Sequence, residues 1–203
     1  MFPMPEQITF ALPEQIGNTD LFVGRKKEFD FFLGDWYDYL QKNFVLSQAL
    51  LARRKKGKTA FLQRLFNIFW SQPQGNVVPF FFSLPEKKKT LASFSQDFFT
   101  AFAMQFLSYS TRDPKWLFSP LDFSKIRPHL TNSHFIDLYD SILHYQEANN
   151  WDAMWETASH APFYIAIMLD TKVVQIFDEF QNIDAYVYDY RGQLIDSMSG
   201  SYL

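Results

Sequence analysis

The hydrophobic positions of this chain alternate between short continuous runs and helical spacing, which predicts an α/β protein. Three apolar runs are predicted to be buried strands, at residues 44–52, 76–84 and 172–177. Between and around these runs, apolar residues recur at intervals of three and four, which predicts amphipathic helices. The helices are predicted at 25–43, from 60 to near 73, at 90–109, 132–145 and 151–157. The alternation of strands and helices favours a parallel sheet.

Proline and phenylalanine positions refine this pattern. Pro79 lies inside the second predicted strand and cannot donate to a sheet ladder, so it favours an edge strand. The helix at 90–109 has one predicted apolar face, carried by Phe94, Phe98, Phe102 and Phe106. Residues 1–20 contain three prolines and no sustained periodicity, which predicts an irregular N-terminal arm before one domain at 21–203. Within that domain, residues 110–160 are predicted to be a helical insertion.

Length and composition suit a folded domain. The chain has 203 residues, 47% of them hydrophobic and 19% aromatic, enough for a substantial core. It has no cysteine, which excludes disulfides and thiolate metal sites. The net charge of −3 gives no support to a nucleic-acid or membrane partner. No apolar run approaches about 20 residues and no secretory signal is present, so the expected location is the cytoplasm.

A phosphate-binding loop is predicted where the first strand meets the second helix. Residues 52–59 read ARRKKGKT, which matches the pattern G-x-x-x-x-G-K-[ST] except that Ala52 replaces the first glycine. In such a loop, backbone N–H groups surround the phosphates of a nucleotide, and the positive end of the following helix attracts them. Gly57 supplies backbone freedom, Lys58 reaches the β- and γ-phosphates, and the Thr59 hydroxyl binds Mg²⁺.

The basic residues of the loop have two interpretations. Their side chains could add to the attraction of a triphosphate, or they could form a solvated basic face while the backbone does the wrapping, which is favoured. These residues are Arg53, Arg54, Lys55 and Lys56. The cofactor-binding segment is predicted to end at Ala60, in the first helical turn. A basic surface turn that contains Gly-Lys-Thr by chance is the alternative for the whole motif.

Two carboxylates end the third predicted strand. Residues 172–179 read KVVQIFDE, an apolar run followed by Asp178 and Glu179. Asp178 would hold Mg²⁺, while Glu179, on the opposite face of the backbone, would polarise the attacking water. Alone, this pattern is equally consistent with a polar strand end in solvent. Together with an upstream phosphate loop, it favours phosphoryl-transfer chemistry.

Three motifs in order resemble P-loop ATPases of the AAA type, in the STAND and archaeal-ATPase groups. Residues 21–28, LFVGRKKE, are similar to the hhGRxxE box (h, hydrophobic) that precedes the phosphate loop in that family. Residues 49–65 resemble its GxRRxGKTxLL loop and helix, and residues 176–181, IFDEFQ, resemble its hhDEFQ strand end. The resemblance covers most of the chain except 110–160.

The resemblance implies a fold, cofactors and residue roles. The fold is the three-layer α/β sandwich of P-loop NTPases with a parallel sheet, and the cofactors are ATP and Mg²⁺. The residues implied near the adenine are Phe22, Val23, Gly24 and Arg25. Lys58 and Thr59 would bind phosphate and Mg²⁺. Asp178 would also bind Mg²⁺, and Glu179 would be catalytic together with Lys58. A GTPase is disfavoured because no Asn-Lys-x-Asp motif is present.

The resemblance also implies that the fold is incomplete at the C-terminus. In this family a sensor strand follows the acidic strand and lies between it and the phosphate-loop strand, and residues 182–203 supply little of it. Gly200 and Ser201 do not suit the end of that strand, because a parallel sheet first needs a crossover of about a dozen residues. Residues 193–203 lack β-branched enrichment and are predicted to begin a crossover helix. We therefore expect a fragment or a truncated reading frame that binds ATP weakly and is poorly soluble by itself.

Two functions remain open from the sequence. The favoured one is an Mg²⁺-dependent ATPase domain that couples nucleotide state to a missing C-terminal sensor or effector region, and Glu179 is the residue that favours it. The partners expected besides ATP are an effector protein or a second copy of the chain. The alternative is a non-hydrolysing nucleotide-binding switch or scaffold, in which ATP holds a conformation. A helper ATPase acting on DNA has little support, since the chain lacks a basic–aromatic patch.

Overall fold

The structure, a computed structural model, is mixed α/β and mostly helical. It describes residues 5–15, 24–44, 47–51, 56–72, 77–84, 86–118, 121–189 and 191–195. These residues belong to two compact units, Met1–Asn76 and Val77–Leu203.

Two short helices follow Arg25 in the first unit. α1 (Lys26–Leu33) and α2 (Asp35–Gln41) occupy the region predicted to be one continuous helix. Gly34 separates them, with φ −106° and ψ −103°. A Cβ at this position would lie 2.5 Å from the carbonyl oxygen of Asp30, so the close backbone approach requires glycine.

The helix α3 (Lys58–Trp70) is the most buried element of the first unit and confirms the second predicted helix. Its Phe61 packs against Phe29 of α1, with ring centroids 4.6 Å apart. Its Phe69 packs against Trp36 of α2, with ring centroids 6.4 Å apart. Both α3 phenylalanines are fully buried, and such burial contributes about 1.5–3 kcal/mol per side chain.

The N-terminal segment 5–15 contains no helix or strand, but it is bound along α3. Three side chains spaced four residues apart hydrogen-bond to the main chain of this segment: Gln63 and Asn67 of α3 and its C-cap residue Ser71. The fully buried Asn67 bonds to both the N–H and the carbonyl of Leu12, each at 2.8 Å. Arg64 also donates to the buried carboxylate of Glu14 at 2.6 Å. Because α3 side chains satisfy its backbone groups, this segment packs without regular secondary structure.

The first predicted strand, at 44–52, is wrong in its described part. Phe44 and residues 47–51 form neither strand nor helix. Phe44 is 57% exposed and Leu51 is 92% exposed, so this part of the run is not buried. The remaining residues, 45, 46 and 52, lie outside the described part. An apolar run forms a strand only where another strand pairs with it, which the run itself does not show.

The second unit contains two parallel strand pairs. Its strands are β1 (Val77–Ser83), β2 (Lys89–Thr90), β3 (Lys172–Asp178) and β4 (Val187–Tyr188). β1 pairs with β3, and β2 pairs with β4. β1 and β3 confirm the other two predicted strands, and both pairings have the predicted parallel direction.

Helices form most of the rest of the second unit. They are α4 (Leu91–Thr111), α5 (Phe123–Ile126), α6 (Ser133–Glu147), α7 (Trp151–Met168) and α8 (Asn182–Tyr186), with 3₁₀ helices at Pro114–Phe118 and Arg127–His129. The three helices predicted in this region are present. Residues 110–160, predicted as an insertion, contribute to the same hydrophobic core as β1 and α4. Among the described residues, no helix is long and apolar enough to span a bilayer.

The core of the second unit joins α4 to β1 through aromatic rings. Phe98 and Phe102 of α4 are almost fully buried. Their ring centroids lie 5.1 and 5.2 Å from that of Phe80 in β1. Phe94 is also buried, and Phe106 packs against the edge of this core. The predicted apolar face of this helix is therefore confirmed.

Hydrogen bonding at the outer edge of β1 explains how Pro79 is tolerated. The N–H of Leu84 donates to the carbonyl of Asp178 at 3.1 Å, so even-numbered residues of β1 direct their backbone groups towards β3. Pro79 and Phe81 therefore face away from β3. The N–H and carbonyl of Phe81 bond instead to the side-chain amide of Gln105, at 2.8 and 2.7 Å. Because Pro79 faces this edge, its missing N–H costs no bond to β3.

The chain after α8 makes a short strand pairing. Leu194 forms an antiparallel bridge with Tyr188, which lies in β4. The crossover helix predicted from Gln193 onwards therefore does not begin within residues 191–195. Residues 196–203, which include Gly200 and Ser201, lie outside the described part.

Replacing Gln105 with alanine should destabilise the second unit. The change leaves the N–H and carbonyl of Phe81 without their partner, and each unsatisfied buried group costs about 1–3 kcal/mol. We expect urea denaturation, followed by circular dichroism, to show a loss of roughly 2–4 kcal/mol. Gln193→Ala, at an exposed glutamine, should change stability by no more than about 0.5 kcal/mol. Equally small losses in both variants would contradict this account of the β1 edge.

Candidate functional site

The described end of the predicted phosphate loop is a left-handed turn that opens α3. Gly57 has φ 70° and ψ 24° and is the N-cap residue of the helix. Among the described residues, no atom other than those of its two chain neighbours lies within 4 Å of the place where its Cβ would be. Glycine is therefore favoured by the backbone conformation and not by lack of space. The first helical bond runs from the N–H of Phe61 to the carbonyl of Gly57 at 3.0 Å. The N–H groups of Lys58 and Thr59 are thus at a helix N-terminus, where anions are attracted.

Exposure divides the residues of this loop into two groups. Lys56 and Gly57 are exposed, while Lys58 and Thr59 are half-buried. The side chain of Ala60 faces the core, so only its main chain can contact a ligand. The exposed Lys56 agrees with a solvated basic face. Six predicted site residues lie outside the described part: Phe22, Val23, Ala52, Arg53, Arg54 and Lys55.

The structure brings Arg25, from the LFVGRKKE box, into contact with Lys56 of the loop. Gly24 and Arg25 both have positive φ, 91° and 56°, and they turn the chain into α1. Arg25 donates from Nη2 to the carbonyl of Lys56 at 2.8 Å and from Nη1 to Oε1 of Glu28 at 2.9 Å. Its guanidinium carbon also lies 5.9 Å from the ring centroid of Phe61. The implied position of this box near the adenine stays a prediction.

The acidic motif forms a tight turn at the end of β3. Asp178 is 2% exposed, and its Oδ1 accepts from the N–H of Glu179 at 3.0 Å. Glu179 leaves the strand with φ 54°, and its Oε2 accepts from Nε2 of Gln181 at 2.5 Å. Asn182 links the turn to the end of β1 by donating to the carbonyl of Leu84 at 2.9 Å. Both carboxylates therefore lie at the carboxyl end of a parallel strand pair, where open α/β sheets bind ligands.

The predicted site is divided between the two units. The box and the loop belong to residues 1–76, and the acidic motif belongs to residues 77–203. Thr59 and Asp178, the ligands predicted for Mg²⁺, offer the hard oxygen atoms that this ion prefers. Among the described residues, no group of three or more His, Asp or Glu side chains could hold a metal. Each of these oxygen donors suits Mg²⁺, which commonly takes one or two protein ligands and completes its shell with phosphates and water. That the two bind the same ion stays a prediction.

A cleft of about 250 Å³ in the second unit contains none of the predicted site residues. It lies beside α4 and the 3₁₀ helix that follows, and its two carboxylates are paired with lysines. Asp97 pairs with Lys89, and Asp122 pairs with Lys125 at 2.9 Å. Hydrogen bonds from Ser124 and Lys125 lower the pKa of the Asp122 carboxyl. A carboxyl held ionised in this way is not suited to act as a general acid.

Comparison with known proteins finds no match to this chain among protein families, curated proteins or solved structures.

Two contacts at the candidate site were not predicted from the sequence. The bond from Arg25 to Lys56 joins residues 31 positions apart, and the bond from Asn182 to Leu84 joins residues 98 positions apart. Gly24, next to Arg25, indicates a turn. No local sequence pattern predicts that Lys56 and Leu84 accept these two long-range hydrogen bonds. These two hydrogen bonds help to fix the position of the backbone at the loop and at the acidic turn.

Alanine variants of two glycines should distinguish the effect of backbone strain on stability from a specific effect on anion binding. Gly57 and Gly192 have similar φ values, 70° and 77°, and open space around an added Cβ. Both alanine variants should therefore lose about 1–2 kcal/mol of stability, measured by chemical denaturation. Only Gly57→Ala should also weaken the binding of inorganic pyrophosphate, measured by calorimetry, because it disturbs the turn before α3. The same loss of binding in Gly192→Ala would contradict an anion site at Gly57.

Proposed function

We propose that this chain is an ATP-binding, Mg²⁺-dependent ATPase domain of the P-loop type, similar to the AAA/STAND group and acting in the cytoplasm. The observation that carries the proposal is the turn at Gly57, which leads directly into the N-terminus of a buried helix with Lys58 and Thr59 in its first turn. A left-handed glycine followed by helix amides and a lysine suits the binding of phosphate groups. The parallel strand pair of β1 and β3, in which β3 ends at Asp178, also supports this proposal.

Each site residue has a defined task in this proposal. Lys58 places positive charge against the β- and γ-phosphates, and the amides of the turn bind the phosphate oxygens. Thr59 and Asp178 would hold Mg²⁺, which supplies charge neutralisation between the phosphates when bound. Glu179 orients the attacking water and accepts its proton. The three-layer sandwich and the coupling to an effector protein or to self-association belong to the same proposal.

A second candidate function is a nucleotide-binding switch that does not hydrolyse ATP. It is favoured by the hydrogen bond from Gln181 to Oε2 of Glu179, which engages the carboxylate that hydrolysis would use. In a switch, ATP would be bound and retained, and the conformation of the domain would be the output. The two functions share the phosphate loop and differ in what Glu179 does.

Replacing Lys58 with alanine should weaken ATP binding by about 10- to 100-fold, since a charge-assisted hydrogen bond is worth about 1.5–3 kcal/mol. Calorimetry with ATP and Mg²⁺ measures the dissociation constant. Lys27→Ala removes the same charge from an exposed position in α1 and should leave the affinity unchanged. Equal affinities in Lys58→Ala and the unmutated chain would overturn the proposed function.

Replacing Glu179 with glutamine should retain ATP binding while turnover falls by about 10²- to 10⁴-fold, the usual contribution of a general base. Phosphate release and nucleotide binding are measured on the same samples. Gln181→Ala is the matched variant, because it frees the Glu179 carboxylate from its neighbour. Turnover that is negligible in the unmutated chain, with ATP still bound, would support the switch instead. A Glu179→Gln variant that hydrolyses ATP normally would exclude Glu179 as the base.

A further inference from the structure

We infer that Arg25 is a positioning residue for the phosphate loop: its bond to the Lys56 carbonyl orients the Lys56–Gly57 peptide so that the Gly57 N–H faces the phosphates. The orientation of the peptide follows from the geometry of the first unit alone. Its consequence for phosphate binding rests on the proposed function. Arg25 would thus act on the loop backbone, in addition to any contact of its box with the base.

Because the Lys56–Gly57 peptide is planar, the direction of its carbonyl also fixes the direction of its N–H. A trans peptide holds its C=O and N–H on opposite sides of the chain, and the described residues contain no cis peptide. Nη2 of Arg25 lies 2.8 Å from the carbonyl oxygen of Lys56. The N–H of Gly57 therefore points away from the guanidinium. If this peptide turned over, it would present a carbonyl oxygen where the N–H now lies, and that oxygen would repel a phosphate.

The identity of residue 57 explains why this peptide needs an external contact. Glycine adopts positive and negative φ with similar ease. Gly57 by itself therefore does little to fix the orientation of the peptide that precedes it. At φ 70°, no atom of the described residues beyond its two chain neighbours lies within 4 Å of a Cβ position at Gly57. The hydrogen bond from Arg25 to the Lys56 carbonyl favours one orientation of this peptide, which the glycine alone does not.

The guanidinium is itself held in place by contacts with two helices. Glu28, one turn further along α1, accepts from Nη1 at 2.9 Å. The ring of Phe61, in the first turn of α3, lies 5.9 Å from the guanidinium carbon. The Arg25 side chain is only 17% exposed. A planar guanidinium can bond to Glu28 and Lys56 at once in fixed directions, whereas the ammonium of lysine is a point charge without this geometry.

The experiment first measures the peptide without any ligand. In the 203-residue chain labelled with ¹⁵N-glycine, which has seven glycines, the Gly57 signal is assigned by its loss in Gly57→Ala. Arg25→Ala should shift or broaden this signal, because the hydrogen bond to the preceding carbonyl is lost, while Lys27→Ala should leave it in place. Glu28→Gln, which keeps the shape of the side chain, should cause a smaller change in the same direction.

The second measurement is the affinity for inorganic pyrophosphate and for ATP with Mg²⁺. Arg25→Ala should weaken both by about tenfold, as expected for one lost charge-assisted bond. Arg25→Lys should recover only part of the loss, and Lys27→Ala should match the unmutated chain. A role in stability alone would lower the denaturation midpoint of Arg25→Ala and leave both affinities unchanged in the folded protein.

The outcomes separate this inference from the proposed function. An unchanged Gly57 signal in Arg25→Ala and Glu28→Gln overturns the inference, whatever the nucleotide affinities are. A Gly57 signal that moves, in a chain that binds neither pyrophosphate nor ATP even without mutation, refutes the proposed function and the phosphate role of Arg25 together. If Arg25→Ala does not fold, Glu28→Gln and Arg25→Lys decide the question by the same two measurements.

Discussion

The parallel pairing of β1 with β3 is the constraint on which the second unit depends. Parallel neighbours cannot be joined by a tight turn, so the chain leaves the sheet after Ser83 and returns only at Lys172. The helices formed in between cover the strands with an aromatic face centred on Phe98. The pairing also brings Asp178 beside Ser83, at the edge where both strands end. A slip of one residue would exchange the two faces of β3 and remove Asp178 from its buried position.

The helix α3 has a comparable role in the first unit. Its first turn follows the loop that Arg25 contacts, and its polar face binds the N-terminal segment. The carboxylate of Glu14 is buried there, with Oε1 bonded to Arg64 and Asn67, while Oε2 has no hydrogen-bond partner among the described residues. Burying a carboxylate is costly unless it is well paired. The segment therefore has one favourable register on α3, since sliding it would separate Glu14 from Arg64.

At the candidate site, the residues expected to do chemistry are contacted by others that position them, and some of these lie in the same motifs. The motifs contain the groups that would do chemistry and also residues that position those groups, and Asn182 follows the last motif directly. Arg25 holds the loop at Lys56, Gln181 engages the carboxylate of Glu179, and Asn182 links the acidic turn to β1. Hydrolysis and switching would use the same phosphate loop and would differ in whether Glu179 can leave Gln181 and contact water. The choice between the two functions therefore depends on Gln181, the last residue of the IFDEFQ motif.

The sequence by itself determined the local features of this protein. Apolar spacing predicted α3, α4, β1 and β3, because it records which face of an element is buried, and residue types alone marked the loop that ends at Gly57. The tertiary structure decided the rest. A strand forms only with a paired backbone, so the apolar run at 44–52 did not suffice, and the single helix predicted over 25–43 is divided at Gly34. The bond from Arg25 to Lys56 depends on how α1 packs against α3, and that packing has no signature in the residues near either partner.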